Sequence, residues 1–421
     1  MNGQEQRQEQ YAGMLHYQTR GLIWGLGVLL VAGIGTFVLG LLWLDPLRVW
    51  QTFLVNWLFW SNMAQGGLIF AAIYHLTQAR WGETVKRVAA GMAAFLPVSF
   101  LLFFGLFFGR QRLFPWIAHP IPAKAVWLNV PFLFTRDGIG LLVLYGLSLY
   151  YLYHLFRPEV GAALTQNREN SGSLSALFRR GWRGWEAEEE RSQRLLAFLT
   201  PPLFVIYAIV FSLIGFDLAM SLEPEWYSTL FGAFFFLGGL HLALAAIAIV
   251  TVVVRKYLRL EMHVTRRQLH DLGKLILGFC LLAGGYFFWA QYLVIWYGNL
   301  PEETAYIIRR TQELPWAPLS GAILVGSYLG PFLILLSRGV KENPTTLFTV
   351  AAFIVGGMWL ERYIMVVPAL WTKPTLPLGW VELGITIGFF AAMALTYLVF
   401  LRHFPLVPLP RTTRSQTRQE E

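Results

Sequence analysis

The residues in this sequence with chemistry to offer are few, and they sit inside long apolar runs. His241 falls near the middle of one run, Glu361 and Arg362 lie side by side toward the end of another, and Glu382 opens a third. Asp271 and Lys274 share one helical face at the start of a fourth run, whose far end carries Gln291, Tyr292, Trp296 and Tyr297. Ionisable groups are expensive at membrane depth, so each is a candidate for a pathway or a buried pair. Imidazole titrates near neutrality and burial moves a carboxyl toward it, which makes His241, Glu361 and Glu382 candidates for accepting and passing protons. Asp271 with Lys274 reads either as an entrance to such a path or, more simply, as a structural pair whose lysine snorkels to the interface. Tyr286, Trp289, Tyr292 and Trp296 recur at helical spacing; they would line a pocket for a planar ring, or merely pack. The only cysteine, Cys280, excludes an internal disulfide, a cysteine-held iron–sulfur cluster and a covalent c-type haem. No two histidines share a run, which argues against a bis-histidine haem; His75 and His154 fall at run ends.

These residues are positioned by a chain of 421 residues that is 56% hydrophobic, 16% aromatic and only 14% charged. A soluble domain carries about 25% charged residues, and no globular core buries this much apolar surface. Ten apolar runs stand out, at 21–43, 50–79, 88–108, 137–156, 196–216, 228–254, 271–297, 318–336, 346–367 and 379–401. Each is long enough for a membrane helix of about 20 residues. The expected fold is therefore all-α and polytopic, with about ten transmembrane helices. Of the 33 Lys and Arg residues, 24 fall on the side of the N-terminus and 9 on the other, so the positive-inside rule puts both termini in the cytoplasm. The net charge of +9 is thus topology and anionic-lipid contact, not a nucleic-acid surface.

The expected organisation is a cytoplasmic tail (1–20), helices one to four (21–156), a cytoplasmic linker with an amphipathic helix (157–195), helices five to ten (196–401) and a cytoplasmic C-terminal tail (402–421). The first run shows no cleavage site and reads as an uncleaved anchor. Its Gly21, Gly25, Gly33 and Gly40 are small contact points for a neighbouring helix. In the linker, Leu174, Leu177, Phe178, Trp182 and Trp185 recur at helical spacing among Arg179, Arg180 and Arg183, the pattern of an interfacial helix or an ordinary connector. The proline-rich outer loop 109–136 is expected to be irregular. The outer connections after runs five and seven are acidic, with Asp217, Glu223 and Glu225 in one and Glu302 and Glu303 in the other. Such charges suit proton release or cation steering, or are plain solvated loop charge.

Four stretches, FDLAMSLEPEWYSTLFGAFFFLGG (216–239), HDLGKLILGF (270–279), QYLVIWYGNLPEET (291–304) and GGMWLERYIMVVPALW (356–371), resemble one family. It is the NrfD-like (polysulfide reductase membrane subunit) superfamily, and within it the F subunit of alternative complex III, a bacterial quinol:cytochrome c or blue-copper protein oxidoreductase. The resemblance implies two four-helix bundles flanked by two further helices, in the bacterial cytoplasmic membrane. It implies partners as well: a sister NrfD-like membrane subunit, an iron–sulfur subunit, multihaem cytochrome c subunits and small membrane subunits. Haem and iron–sulfur clusters would belong to those partners, none to this chain. A quinone (menaquinone or ubiquinone) is the one ligand the chain itself would take, with Gln291, Tyr292, Trp296 and Tyr297 as pocket candidates. The proton-path candidates are His241, Asp271, Lys274, Glu302, Glu303, Glu361, Arg362 and Glu382. Where the family often has histidine after the proline of its SL-acid-P motif, this chain has Glu225, and where it often has aspartate in the ninth run, this chain has Glu361.

Two other readings come from different classes. A secondary transporter would use buried charge and paired glycines (Gly66–Gly67, Gly238–Gly239, Gly284–Gly285, Gly356–Gly357), although no pair of broken helices repeats in two halves. A pure scaffold would use neither ligand nor proton.

Overall fold

The computed structural model describes residues 3–79, 81–166 and 173–407, with the side chains of 3–19 and 165–175 outside that description. The side chain of Leu174, residues 167–172 of the linker and the tail beyond 407 therefore lie outside that description. Among those residues the secondary structure is helical, with no strand. The principal helices are α1 (Gly3–Trp43), α2 (Pro46–Leu76), α3 (Glu83–Leu113), α4 (Val130–Gln166), α5 (Ser173–Arg179) and α6 (Trp185–Leu218). There follow α7 (Phe231–Tyr257), α8 (Arg266–Gly298), α9 (Pro301–Thr311), α10 (Trp316–Leu335), α11 (Pro344–Leu370) and α12 (Trp380–His403). Nine helices among the described residues are long and apolar enough to cross a membrane, so this is a multi-pass membrane protein.

Of the ten expected crossings, the run 50–79 is the one that does not qualify. It forms α2, 31 residues long, but Gln51, Asn56, Ser61, Asn62 and Gln65 lower its apolarity. All five are buried, because α2 is surrounded by α3, α6, α7, α11 and α12. A helix shielded from lipid on every side can carry polar groups at least cost where they are bonded. Three of the five are bonded to other side chains, whereas the Gln51 amide has no partner among the described residues. Asn56 accepts from the indoles of Trp60 and Trp359 (3.3 and 3.2 Å), Ser61 bonds Ser99 (2.7 Å), and Gln65 donates to Ser148 (3.0 Å). Asp45 caps α2 by accepting from the Leu47 amide, with Pro46 in the first turn.

The helices pack in two rounds. In one, α2 meets α3, α3 meets α4, α4 meets α6, and α6 returns to α2; in the other, α7, α8, α10 and α11 close in the same way. The rounds join where α2 crosses α7, and there a Cβ on Gly66 would come within 3.0 Å of the Gly239 carbonyl oxygen. The contacts between loops define two ends. Arg48–Glu382, Lys124–Pro224, Trp127–Asp217 and Arg310–Glu223 gather at one, called here the Trp43 end; Arg87–Glu159, Arg157–Glu188 and Arg87–Pro405 gather at the His403 end.

Three local expectations change. Helix α1 begins at Gly3, so the stretch read as a polar tail continues the first helix. The proline-rich loop is partly helical, since α3 runs on to Leu113 and α4 starts at Val130. The linker helix α5 is short: Leu177 is exposed, but Phe178 is buried against Tyr153 and Phe404, so it folds onto the protein and does not lie as a long interfacial helix. Helix α1 packs chiefly on α12, backbone to backbone: a Cβ on Gly33 would lie 2.3 Å from the Gly388 Cα, and one on Gly40 would press on Val49, whereas Gly21 and Gly25 face open space. Gly33→Val should therefore lower the melting temperature and loosen α1, at a cost of about 1–3 kcal/mol. Gly25→Val should leave the melting curve unchanged; equal effects would mean that close packing at Gly33 is not what holds α1.

Candidate functional site

The centre of the second round holds the polar cluster. At ~1.5 Å per residue, His241 lies ~15 Å in from the Phe231 end of α7, and Glu361 ~14 Å in from the Leu370 end of α11, so the two share one depth. Tyr328 of α10 joins them. Its ring stacks on the His241 imidazole (centroids 5.4 Å apart), and its hydroxyl donates a short hydrogen bond to Glu361 Oε2. Glu361 Oε1 accepts from Arg362 Nη1 (2.8 Å), and the guanidinium also lies over the Phe235 ring and donates to the Phe235 carbonyl (3.3 Å). His241, Glu361, Arg362 and Tyr328 are all buried. A buried carboxylate is tolerable on these terms, paired with a cation and hydrogen-bonded on both oxygens.

The backbone explains why this cluster forms here. Residues Cys280–Phe288 of α8 and Leu324–Leu329 of α10 wind as π-helix, and the two segments face each other. Such segments are frequent at functional sites because they open the backbone bonding pattern. In α10 the segment is followed by Pro331. The α-helical partner of the Ser327 carbonyl would be the amide of residue 331, and proline has none. The freed carbonyl is bonded by His241 Nε2 (3.0 Å) and weakly by Cys280 Sγ (3.9 Å). A carbonyl only accepts, so Nε2 carries the ring proton and Nδ1 keeps its lone pair. That Nδ1 is buried and has no partner among the described residues. On the other side, the Tyr328 ring packs flat against Gly284, where a Cβ would come within 2.4 Å of it.

A second proline acts nearer the Trp43 end. Pro368 removes the amide that would bond the Ile364 carbonyl, and Arg310 Nε donates to that oxygen (3.0 Å). Arg310 also reaches Met365 O, covers the Tyr306 ring at 3.5 Å and pairs with Glu223 (2.8 Å). Trp226 stacks on the other side of Tyr306 at 3.7 Å. Burial pushes the Tyr306 phenol up to about 12, and both Glu223 and Glu361 lie near enough to add to that rise. Two polar groups thus lie in this round: His241, Tyr328, Glu361 and Arg362 at mid-depth, and Tyr306, Arg310 and Glu223 toward the Trp43 end. Glu361 is within electrostatic reach of Tyr306, and among the described residues no hydrogen bond joins the two groups.

The remaining candidates do not converge on this cluster. Asp271 and Lys274 pair at 2.6 Å at the His403 end of α8. Buried Ile276 of α8 and Ile354 of α11 lie between those depths, and buried Lys341 packs on Gly273 beside the pair and donates to the Leu335 carbonyl. Among the described residues no hydrogen bond joins Asp271 or Lys274 to the cluster. Glu382 is a clamp, not an open proton acceptor: both its oxygens accept from Arg48 (2.7 Å each), and Oε2 also accepts from the Gly379 amide, pinning α12 to α2. Glu302 and Glu303 occupy the first turn of α9, outside the apolar spans, where negative charge complements the helix dipole.

The aromatic pocket is not formed. Trp289 and Trp296, three and four residues either side of Tyr292, lie on a face of α8 that points away from the protein; Trp296 and Tyr297 are 62% and 87% exposed. Tyr292 stacks only on its own helix neighbours Phe288 and Trp289. Gln291, roughly 100° further round the helix, is buried and accepts from Ser228 (3.0 Å). The four residues do not converge on one face: Gln291 turns inward, while Trp296 and Tyr297 face outward.

Tyr328, Ser327 and Arg310 escaped the sequence reading. Tyr328 looks like one more aromatic in an apolar run, and the available signal was the Gly330–Pro331 pair that breaks the helix after it. Asp217 and Glu223, read as loop charges, are ion-paired: Asp217 accepts from Arg136 (2.6 Å) and Trp127 (2.9 Å), with buried Asp137 beside it. No protein-family model matches the chain, and no curated protein matches it.

Arg362→Leu leaves Glu361 buried without its cation and should cost about 3–5 kcal/mol in detergent unfolding. The double variant Arg362→Leu/Glu361→Gln should recover a good part of that loss. Additive losses in the double-mutant cycle would show that the two side chains do not stabilise each other.

Proposed function

We propose that this chain is a membrane subunit of a bacterial quinol-oxidising complex of the NrfD-like type, carrying no redox group of its own, and that its share of the chemistry is a proton exit to the outer face. The observation that carries this reading is the buried cluster itself: His241, with an unpartnered Nδ1, and the Glu361 carboxylate share one depth with Tyr328 and Arg362. Glu361 is within electrostatic reach of Tyr306, beside the Arg310–Glu223 pair toward the Trp43 end. The Trp43 end is the one poor in Lys and Arg, so the positive-inside rule makes it the outer face and puts both termini in the cytoplasm. The two rounds of packed helices, with α1 and α12 outside them and α2 as the tenth crossing, agree with two four-helix bundles and two flanking helices.

Quinol oxidation gives up two electrons and two protons. In this reading the electrons pass to iron–sulfur and haem centres in partner subunits, and this chain handles protons. The His241 Nδ1 lone pair and the Glu361 carboxylate are the acceptors, Tyr328 joins them, and Arg362 holds the carboxylate in place. Because Gln291, Tyr292, Trp296 and Tyr297 do not converge on one face, no step is assigned to a quinone held within this chain. Its exposed aromatic face on α8 is available to lipid or to a sister membrane subunit.

The test is to purify the chain gently from its native membrane and assay the product. It should arrive with haem absorbance and several partners, and Glu361→Gln should cut quinol-dependent reduction of the acceptor at least tenfold while assembly is preserved. Glu302→Gln should change nothing. Arrival alone and colourless would refute complex membership; full turnover in Glu361→Gln and His241→Phe would refute the proton role and leave a scaffold.

A further inference from the structure

A second site lies at the His403 end, apart from the buried cluster. A cavity of about 440 Å³ opens between the start of α8 and the segment after α10, lined by Arg266, Arg267, His270, Asp271, Lys274, Arg338 and Glu342. Its two carboxylates are already spent. Asp271 accepts from Lys274 at 2.6 Å, and Glu342 accepts from Arg338 at 2.6 Å. The Arg338 hydrogen bond is the main reason the Glu342 carboxyl is held below its usual range. Arg266 and Arg267 are exposed, line the cavity and have no hydrogen bond or ion pair for their side chains among the described residues, although Arg266 is close enough to Glu342 to act on it electrostatically. A proton entrance would present free carboxylates; this mouth presents free guanidinium groups.

We infer that this cavity binds the phosphate headgroup of an anionic phospholipid. Guanidinium forks match phosphate oxygens in pairs, and basic pockets between membrane helices near the surface are suited to such headgroups. The surroundings supply the rest of the lipid's needs. Immediately deeper along α8, Leu275, Leu281 and Leu282 are exposed and Gly278 has open space beside it; on α10, Leu333 and Ile334 are exposed too. Two acyl chains laid on that strip would keep the phosphate at the level of Lys274, whose own side chain is half exposed. A free phosphate ion would use the same guanidinium groups but gain nothing from the strip. The inference uses the proposed orientation only to name the leaflet, the inner one; the headgroup chemistry stands without it and without any view of the complex.

Native mass spectrometry of the purified full-length protein, delipidated and then offered phosphatidylglycerol or phosphatidylcholine, tests this. Wild type should retain phosphatidylglycerol in preference. Arg266→Gln/Arg267→Gln should weaken that retention by about fivefold for each arginine removed, leaving phosphatidylcholine binding as it was. Arg110→Gln, at the opposite end, should bind as wild type. Should the double variant fail to fold, Arg267→Gln alone gives the same reading at smaller amplitude. Retention unchanged in these variants would overturn the inference, as would displacement of phosphatidylglycerol by a few millimolar inorganic phosphate, which would mark a site for the free anion.

Discussion

Inside hydrocarbon a backbone carbonyl without a partner is costly, and two prolines create such carbonyls at the places where the candidate site is built. Pro331 frees Ser327 O, which His241 bonds; Pro368 frees Ile364 O, which Arg310 bonds. Each proline thus fixes where a polar side chain belongs. His241 is oriented with its Nε2 proton spent and its Nδ1 free, and Arg310 is held where it can reach Glu223 as well as α11. Without those two broken bonds, the His241 imidazole and the Arg310 guanidinium would each lose a backbone partner.

The fold was legible where composition alone decides it. Nine apolar helices follow from nine runs, and Gly33 and Gly40 of α1 were recognisable as points of close approach. Glu361 and His241 were legible because charge and imidazole stand out against leucine. Their partner Tyr328 was not, since a tyrosine in an apolar run costs little and signals nothing by itself. Spacing misled in two places. The stripe Trp289–Tyr292–Trp296 is real, but periodicity says only that residues share a face, not whether that face looks inward. Glu382 was singled out by its charge, but the arginine that neutralises it is 334 residues away in sequence, a distance no local pattern spans.

The two rounds of helices hold their polar groups differently. In the first, hydroxyls and amides bond one another across the interior, as in Ser61–Ser99–Tyr145 and Gln65–Ser148, and the full charges collect at the ends in Arg136–Asp217, Arg87–Glu159 and Arg157–Glu188. In the second, one carboxylate and one guanidinium lie at mid-depth. A network of neutral groups gives up little when water is excluded, whereas a central ion pair must be insulated and clamped. The mid-depth ion pair therefore lies in the round that also contains both π-helical segments.

The burial of α2 bears on how the protein is made. A helix with Gln51, Asn56, Asn62 and Gln65 along its length is a poor substrate for the insertion machinery when it emerges, because its polar side chains face lipid until their partners arrive. Ser148 and Trp359 lie 83 and 303 residues further along the chain from the side chains they bond. These side chains of α2 therefore gain their partners only when helices synthesised much later close around it.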